Sequence, residues 1–308
     1  MKIASLLPSA TEIVCLLGLE QDLVGVTHEC DYPKEVRGKP VLTGSNIEHR
    51  GKTGAEIDRH ISEHLHAGSS IYRLDRDLLE KLNPDIILTQ ELCDVCAVSY
   101  TEVQAAVKSM YGDRQVVSLE PTTLGEILEN IVEVGRVTGR EEEAKQKVLA
   151  LGQRVKTVAQ AGAKVSYRPR VFFWEWLDPI YIGGHWIPGM IDLAGGKDGL
   201  GAGGIKSRVG AWEEVEEYQP EVIVLSPCGY NVDEVLERAR EVSLPPWWND
   251  LPAVKAGKVY AVNASAYFAR PGPRIVDGLE ILAQLIHPEF DIRKVKRDEA
   301  RAWRGVSS

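Results

Sequence analysis

Asn83-Pro84-Asp85-Ile86-Ile87-Leu88-Thr89 is the stretch on which the fold turns. A turn opener, an acid and a short unbroken apolar run make the pattern of a strand buried on both faces, as in parallel sheets covered by helices. The same layout returns as Gln219-Pro220-Glu221-Val222-Ile223-Val224-Leu225. Two copies of one β-α arrangement so far apart predict two similar lobes rather than one continuous sheet. A chain of 308 residues is long enough for two domains of ordinary size.

Working outward, residues 2–6 read as a strand, and residues 12–17 as a helix entered past Pro8 and stopped by Gly18. Residues 23–26 make a second short strand that empties into the polar loop 28–33. Between the two copies, Ile127, Ile131, Val134, Val137, Ala144, Val148, Leu151, Val155 and Val158 recur mostly at spacings of three and four. That is helix periodicity, and it predicts a stiff spine over 124–161 with a break near Thr138 and Gly139. In the second lobe, residues 170–174 and 258–262 read as strands and 272–287 as a closing helix. The expected fold class is therefore α/β: two Rossmann-like lobes, 1–120 and 164–308, joined by a long rigid helix over 121–163, with a ligand cleft between the lobes. The six glycines within 195–204 read as a mobile surface loop.

Composition narrows the function. Hydrophobic residues at 44% and charged residues at 26% are ordinary for a folded globular chain. A formal charge of −9 argues against nucleic-acid binding, which needs a dense basic face. The opening apolar residues are interrupted by Ser5, Pro8, Ser9, Thr11 and Glu12, so no secretory h-region forms and no window is apolar enough to span a bilayer. The location expected from these features is the cytoplasm, or the periplasm or membrane surface if a leader has been removed. Five cysteines without framework spacing fit a reducing compartment.

Trp174, Trp176 and Trp186 fall within thirteen positions, interleaved with Glu175, Asp178 and His185. Tryptophan offers a broad flat face and one donor, which suits a planar or bulky ligand, although one or two could simply plug the lobe. Tyr230, Phe268 and Arg270 follow other strands of the same lobe, where ligand-facing ends converge in open α/β sheets. His28 and Glu91 follow strands of the first lobe and join the candidate set with Ser9. Cys93 and Cys96 have CxxC spacing, and with Cys30 they form a candidate metal site, a weak signal without a second pair. No GxSxG, HExxH or phosphate loop is present, and nothing pairs a nucleophile with a base, so the reading is not an enzyme and requires no cofactor. His60, His64 and His66 read as a solvated helix face.

Two further stretches carry a family resemblance. Residues 3–13 (IASLLPSATEI) with 23–26 (LVGV), and residues 247–260 (WWNDLPAVKAGKVY), resemble the opening and closing segments of substrate-binding proteins of ABC importers for cobalamin, haem and siderophores. Residues 92–99 and 270–274 are similar to the cobalamin-binding subgroup. The resemblance implies a monomer that holds a corrinoid or related metal chelate, for uptake, delivery or buffering. Trp174, Trp176, Trp186, Tyr230 and Phe268 would form its apolar walls, with Ser9, Glu175 and Arg270 at its polar edge. It further implies an ABC permease partner that meets an acidic residue on each lobe, for which Glu102 and one of Glu213, Glu214 or Glu216 are the candidates by position. The alternatives are a cytosolic metal-binding protein or metalloenzyme using Cys30, Cys93 and Cys96, and a ligand-free scaffold that binds another protein.

Overall fold

Both apolar runs form parallel strands, and both are entered by the same device. The computed structural model describes residues 1–46, 51–66, 71–90, 100–109 and 114–305. In it Asn83 and Gln219 each end a helix in the left-handed conformation, with φ of 53° and 50°. Proline follows and forbids further helix. The acid after the proline then ties its strand to a neighbour: Asp85 Oδ2 accepts from the backbone N–H of Lys2 at 2.8 Å, and Glu221 Oε2 from that of Arg170 at 3.1 Å. The echo in the sequence is thus an echo in hydrogen bonding.

Contacts divide the chain into two units. The first holds residues 1–52, 56–121 and 126–148; the second holds 53–55, 122–125 and 149–308. In the first, β1 (Ile3–Ser5), α1 (Pro8–Leu16), β2 (Leu23–Gly25), β3 (Thr43–Ser45), α2 (Gly54–His66), β4 (Tyr72–Leu74), α3 (Arg76–Leu82), β5 (Ile86–Thr89), α4 (Tyr100–Ser109) and β6 (Gln115–Ser118) follow in order. A parallel sheet of order β2-β1-β5-β6 forms its centre, and β3 and β4 pair as an antiparallel ribbon. Ile86, Ile87 and Leu88 are all buried, as strands covered on both faces require. The first helix starts four residues earlier than its periodicity suggests, because Pro8 fits the first helical position, where no N–H is needed.

The expected spine is two helices, α5 (Leu124–Val137) and α6 (Glu141–Gly162). Ile127, Ile131 and Val134 bury one stripe of α5. The break falls where the sequence placed it. Thr138 Oγ1 turns back to the carbonyl of Val134 at 2.7 Å, and Gly139 takes φ of 69°. A Cβ on Gly135 would lie 2.4 Å from that of Ala144, so only glycine lets the two helices approach there. At 22 residues, α6 is about 33 Å long.

The second unit continues through β7 (Val171–Trp176), β8 (Tyr181–Ile182), α7 (Ile187–Leu193), β9 (Arg208–Val209), α8 (Trp212–Tyr218), β10 (Val222–Leu225), α9 (Val232–Arg238), α10 (Pro252–Lys255), β11 (Val259–Val262), α11 (Ala264–Tyr267), α12 (Ile275–Ile286) and β12 (Ala300–Ala302). Its sheet runs β12-β11-β10-β7-β8-β9, parallel across β11, β10 and β7 and antiparallel outside them. Strand alternation puts Phe172 and Trp174 on one face and Phe173 on the other. Trp174 is fully buried: it stacks on Phe172 at 5.8 Å and meets Trp212 edge-on at 5.1 Å and Trp248 at 6.0 Å. Trp247 and Trp303 extend the same cluster. The glycine-rich segment 195–204 is packed over 195–201 and exposed over 202–204. A Cβ on Gly196 would meet Ile191 and Val171 at 2.9 Å, and one on Gly199 would meet Tyr218 at 2.4 Å.

Candidate functional site

The parallel pairing of β7 with β10 ends where Trp174 faces Leu225, and Trp176 projects beyond it. Tyr230 follows β10 through the turn at Pro227, whose carbonyl accepts from its N–H at 3.3 Å. The two rings meet at the strand ends, with centroids 5.9 Å apart and planes inclined by 34°. Both are half-buried. The Trp176 indole N–H donates to the carbonyl of Asp178 at 3.1 Å, which fixes the ring edge and leaves its face to partners. Arg238, at the end of α9, lies over Tyr230 with its guanidinium carbon 5.7 Å from the ring centre and pairs with Glu241 at 3.2 Å. Burial pushes the Tyr230 phenol above its ordinary range, so it stays neutral and can donate. A hollow of about 130 Å³ is lined by Trp176, Leu177, Asp178, Pro227, Tyr230 and Arg238, among others. An aromatic pair with a cation beside it can hold a flat apolar body that carries a polar or anionic edge.

Other expected ligand walls lie elsewhere. Trp174 cannot be one, because it is sealed in the core, where strand alternation and register place it. Trp186 and Phe268 are also interior, 8% and 2% exposed. Trp186 donates its indole N–H to the Phe268 carbonyl at 2.9 Å, and Phe268 packs on Phe173 at 5.6 Å. These two residues join the loop before α7 to the end of α11, a packing role in place of the expected wall.

Glu175 serves its own backbone. Its carboxylate accepts from the Ser207 hydroxyl and from the Gly184 N–H, and burial raises its pKa above the ordinary carboxylate range. The pairing it supports is tight: His185 N–H donates to the Ile205 carbonyl at 2.6 Å, and a Cβ on Gly184 would lie 2.4 Å from that oxygen. His185 itself takes φ of 48°, and its Nε2 is shielded without a hydrogen-bond partner among the described residues. Burial lowers the His185 pKa, aided by Lys206, and keeps the ring neutral. Arg270 is half-buried after α11.

In the first unit, His28 hydrogen-bonds through Nδ1 to Thr43 Oγ1 at 2.7 Å and packs on Tyr72 at 5.4 Å, and burial lowers its pKa. Ser9 is buried in the first turn of α1. Cys30 is buried beside Thr11, Sγ to Oγ1 at 3.0 Å, and Thr11 also reaches Ser5 at 2.8 Å. Burial pushes the Cys15 thiol up to about 12, which makes it a poor thiolate donor. Glu91, Cys93 and Cys96 lie outside the described residues, as does the side chain of Glu102. Among the described residues no group of three histidine, cysteine or acidic side chains could hold a metal ion. Glu213 and Glu216 are exposed on α8, whereas Glu214 is committed to Arg208 at 2.6 Å and to the N–H of Ala211 at 3.0 Å. The sequence carried no signal for Arg238, whose place over Tyr230 depends on the short turn of α9.

Comparison with known proteins adds the lineage. Residues 3–266 match the periplasmic binding protein family. A relative described as an uncharacterized ABC transporter substrate-binding lipoprotein of Bacillus subtilis strain 168 is 27% identical over 297 residues, covering 94% of this chain and 80% of that protein. That description gives no support to the cytoplasmic expectation. Among solved structures, a possible iron-binding protein of Staphylococcus epidermidis superposes with a TM-score of 0.69 at 24% identity, covering 93% of this chain and 98% of the other. The periplasmic vitamin B12 binding protein of Vibrio cholerae gives 0.67 at 22%, covering 92% and 96%. The periplasmic heme-binding protein of Roseiflexus sp. RS-1 gives 0.68 at 19%, covering 94% and 98%. At these identities the likeness is one of fold.

Proposed function

From the premise that the chain belongs to the periplasmic binding protein family, we propose that it binds, without catalysis, a corrinoid or related metal chelate for an ABC importer. The observation that carries this reading is the Trp176–Tyr230 pair at the strand ends, half-open and flanked by Arg238. Relatives described as binding vitamin B12, heme and iron support a ligand of this class, with the corrinoid as first choice. Burying a few hundred square ångströms of apolar ligand surface contributes several kcal/mol at about 25 cal/mol per Å², enough for micromolar binding after association costs. Arg270 remains a candidate for its polar edge.

The importer's permease is the expected partner, and the exposed Glu213 and Glu216 of α8 would meet its basic side chains. The lipoprotein description of the Bacillus relative supports work outside the cytoplasmic membrane. Tryptophan-fluorescence titration of the purified chain with cyanocobalamin and with hemin tests the reading. Saturable quenching by at least one is expected, and none by either would refute it.

A further inference from the structure

A cavity of about 470 Å³ opens in the second unit at the edge of the sheet opposite the strand ends that carry Trp176 and Tyr230. Pro169, just before β7, and Lys258, just before β11, line it, so it lies where those parallel strands begin. Its volume is that of an ordinary small-molecule site. One wall is aromatic: the Phe290 ring stacks on His287 at 4.7 Å with 22° between planes. His287 is buried and anchored at both nitrogens, to the Gly195 carbonyl at 3.0 Å and to Glu289 Oε1 at 3.0 Å, so the stack is held in place. Val165 and Ile286 add apolar surface.

The charges around this cavity are unequally committed. Glu289 faces His287, and Glu221, just outside the lining, takes the Tyr167 hydroxyl at 2.7 Å and the Arg170 guanidinium at 3.4 Å. Lys164 and Lys258 line the cavity too, and Lys258 lies near enough to Glu221 and Glu289 to help hold both carboxylates ionised. Two ammonium groups at one cavity, the exposed Lys164 and the partly buried Lys258, beside carboxylates that have other partners, make a place that answers an anion. The flat His287–Phe290 wall answers an aromatic ring.

We propose that this cavity is a second binding site, for a small aromatic carboxylate. The ring lies against Phe290 and the apolar lining, and the carboxylate faces Lys164 and Lys258. Exposed ion pairs contribute little by themselves, so affinity comes from ring burial and selectivity from the amines. The site is independent of the Trp176–Tyr230 pair.

Two-dimensional amide NMR with 1-naphthoate, and with uncharged 1-naphthamide as control, tests it. Naphthoate should shift the amides of Val165, Ile286 and Phe290 saturably, and naphthamide should bind about tenfold more weakly, a difference of about 1.4 kcal/mol. The Lys164→Gln, Lys258→Gln double variant, whose melting temperature should match the parent's, should bind naphthoate no better than naphthamide. Trp176→Ala should leave naphthoate binding intact. No shift at these amides, equal binding of the two probes, or an unaffected double variant would overturn the proposal.

Discussion

Trp186 donates its indole N–H to the carbonyl of Phe268 at 2.9 Å, across 82 positions of sequence. Both partners are inside the second unit. Trp186→Phe keeps most of the ring but leaves that carbonyl buried and unanswered, which costs about 1–3 kcal/mol. Urea unfolding should show that loss, while cyanocobalamin affinity stays within about twofold, since a change below 0.5 kcal/mol is expected of a residue away from the ligand.

Arg293 gathers three carboxylates from the closing helix and tail. It reaches Asp277 at 2.7 Å, Glu280 at 3.2 Å and Glu299, and Arg154 of α6 joins Asp277 at 2.8 Å and Glu280 at 2.7 Å. Glu299 is 2% exposed. Desolvation would raise its pKa, but the Arg293 contact and the Lys296 N–H prevail and hold it below the ordinary range. Arg293→Met strands that charge and should destabilise by about 3–5 kcal/mol. Adding Glu299→Gln should recover part of the loss. Equal stability of the two variants would show that the Glu299 contact contributes nothing.

Glu175 titrates in the opposite sense. Burial raises its pKa above 4.5, so the folded protein holds this proton more tightly than the unfolded chain. Its contribution is full below pH 4.5 and is lost as pH rises through the raised native value. Glu175→Gln cannot ionise and keeps an acceptor for Ser207 or Gly184. Its stability relative to the parent should therefore climb with pH from 4.5 upwards in paired denaturation curves. A constant difference would mean that Glu175 does not titrate across that range.

The acids of α8 separate by commitment. Glu213→Lys with Glu216→Lys changes exposed charge only, so stability should hold within about 0.5 kcal/mol and cyanocobalamin binding should be unchanged. Association with the cognate permease in proteoliposomes should weaken. Glu214→Lys breaks the Arg208 pair and the helix cap, and should lower stability as well.

What the sequence revealed and what it hid follow from range. Ile86 to Thr89 and Val222 to Leu225 were legible because burial on both faces writes an unbroken apolar run, and Thr138 and Gly139 marked a helix break by their own backbone preferences. Trp174 was misplaced because its burial depends on register. The strand was read as ending at Trp174, whereas β7 continues to Trp176 and sets Trp174 opposite Leu225 in the core. Glu175 looked like a ligand contact because acids near tryptophans suggest one, and only the folded positions of Ser207 and Gly184 show where it is committed. Tyr230 was legible as a residue after a strand, but Arg238 beside it was not, since their contact exists only once α9 is formed.

The central claim is that Trp176 and Tyr230 together grip the ligand. Equilibrium dialysis of cyanocobalamin and of hemin against the parent and the Trp176→Ala, Tyr230→Ala double variant measures it most directly. Loss of about 100-fold or more in affinity for the bound ligand, roughly 2.7 kcal/mol, at nearly unchanged melting temperature is the expected result. Undiminished affinity in the double variant would contradict it.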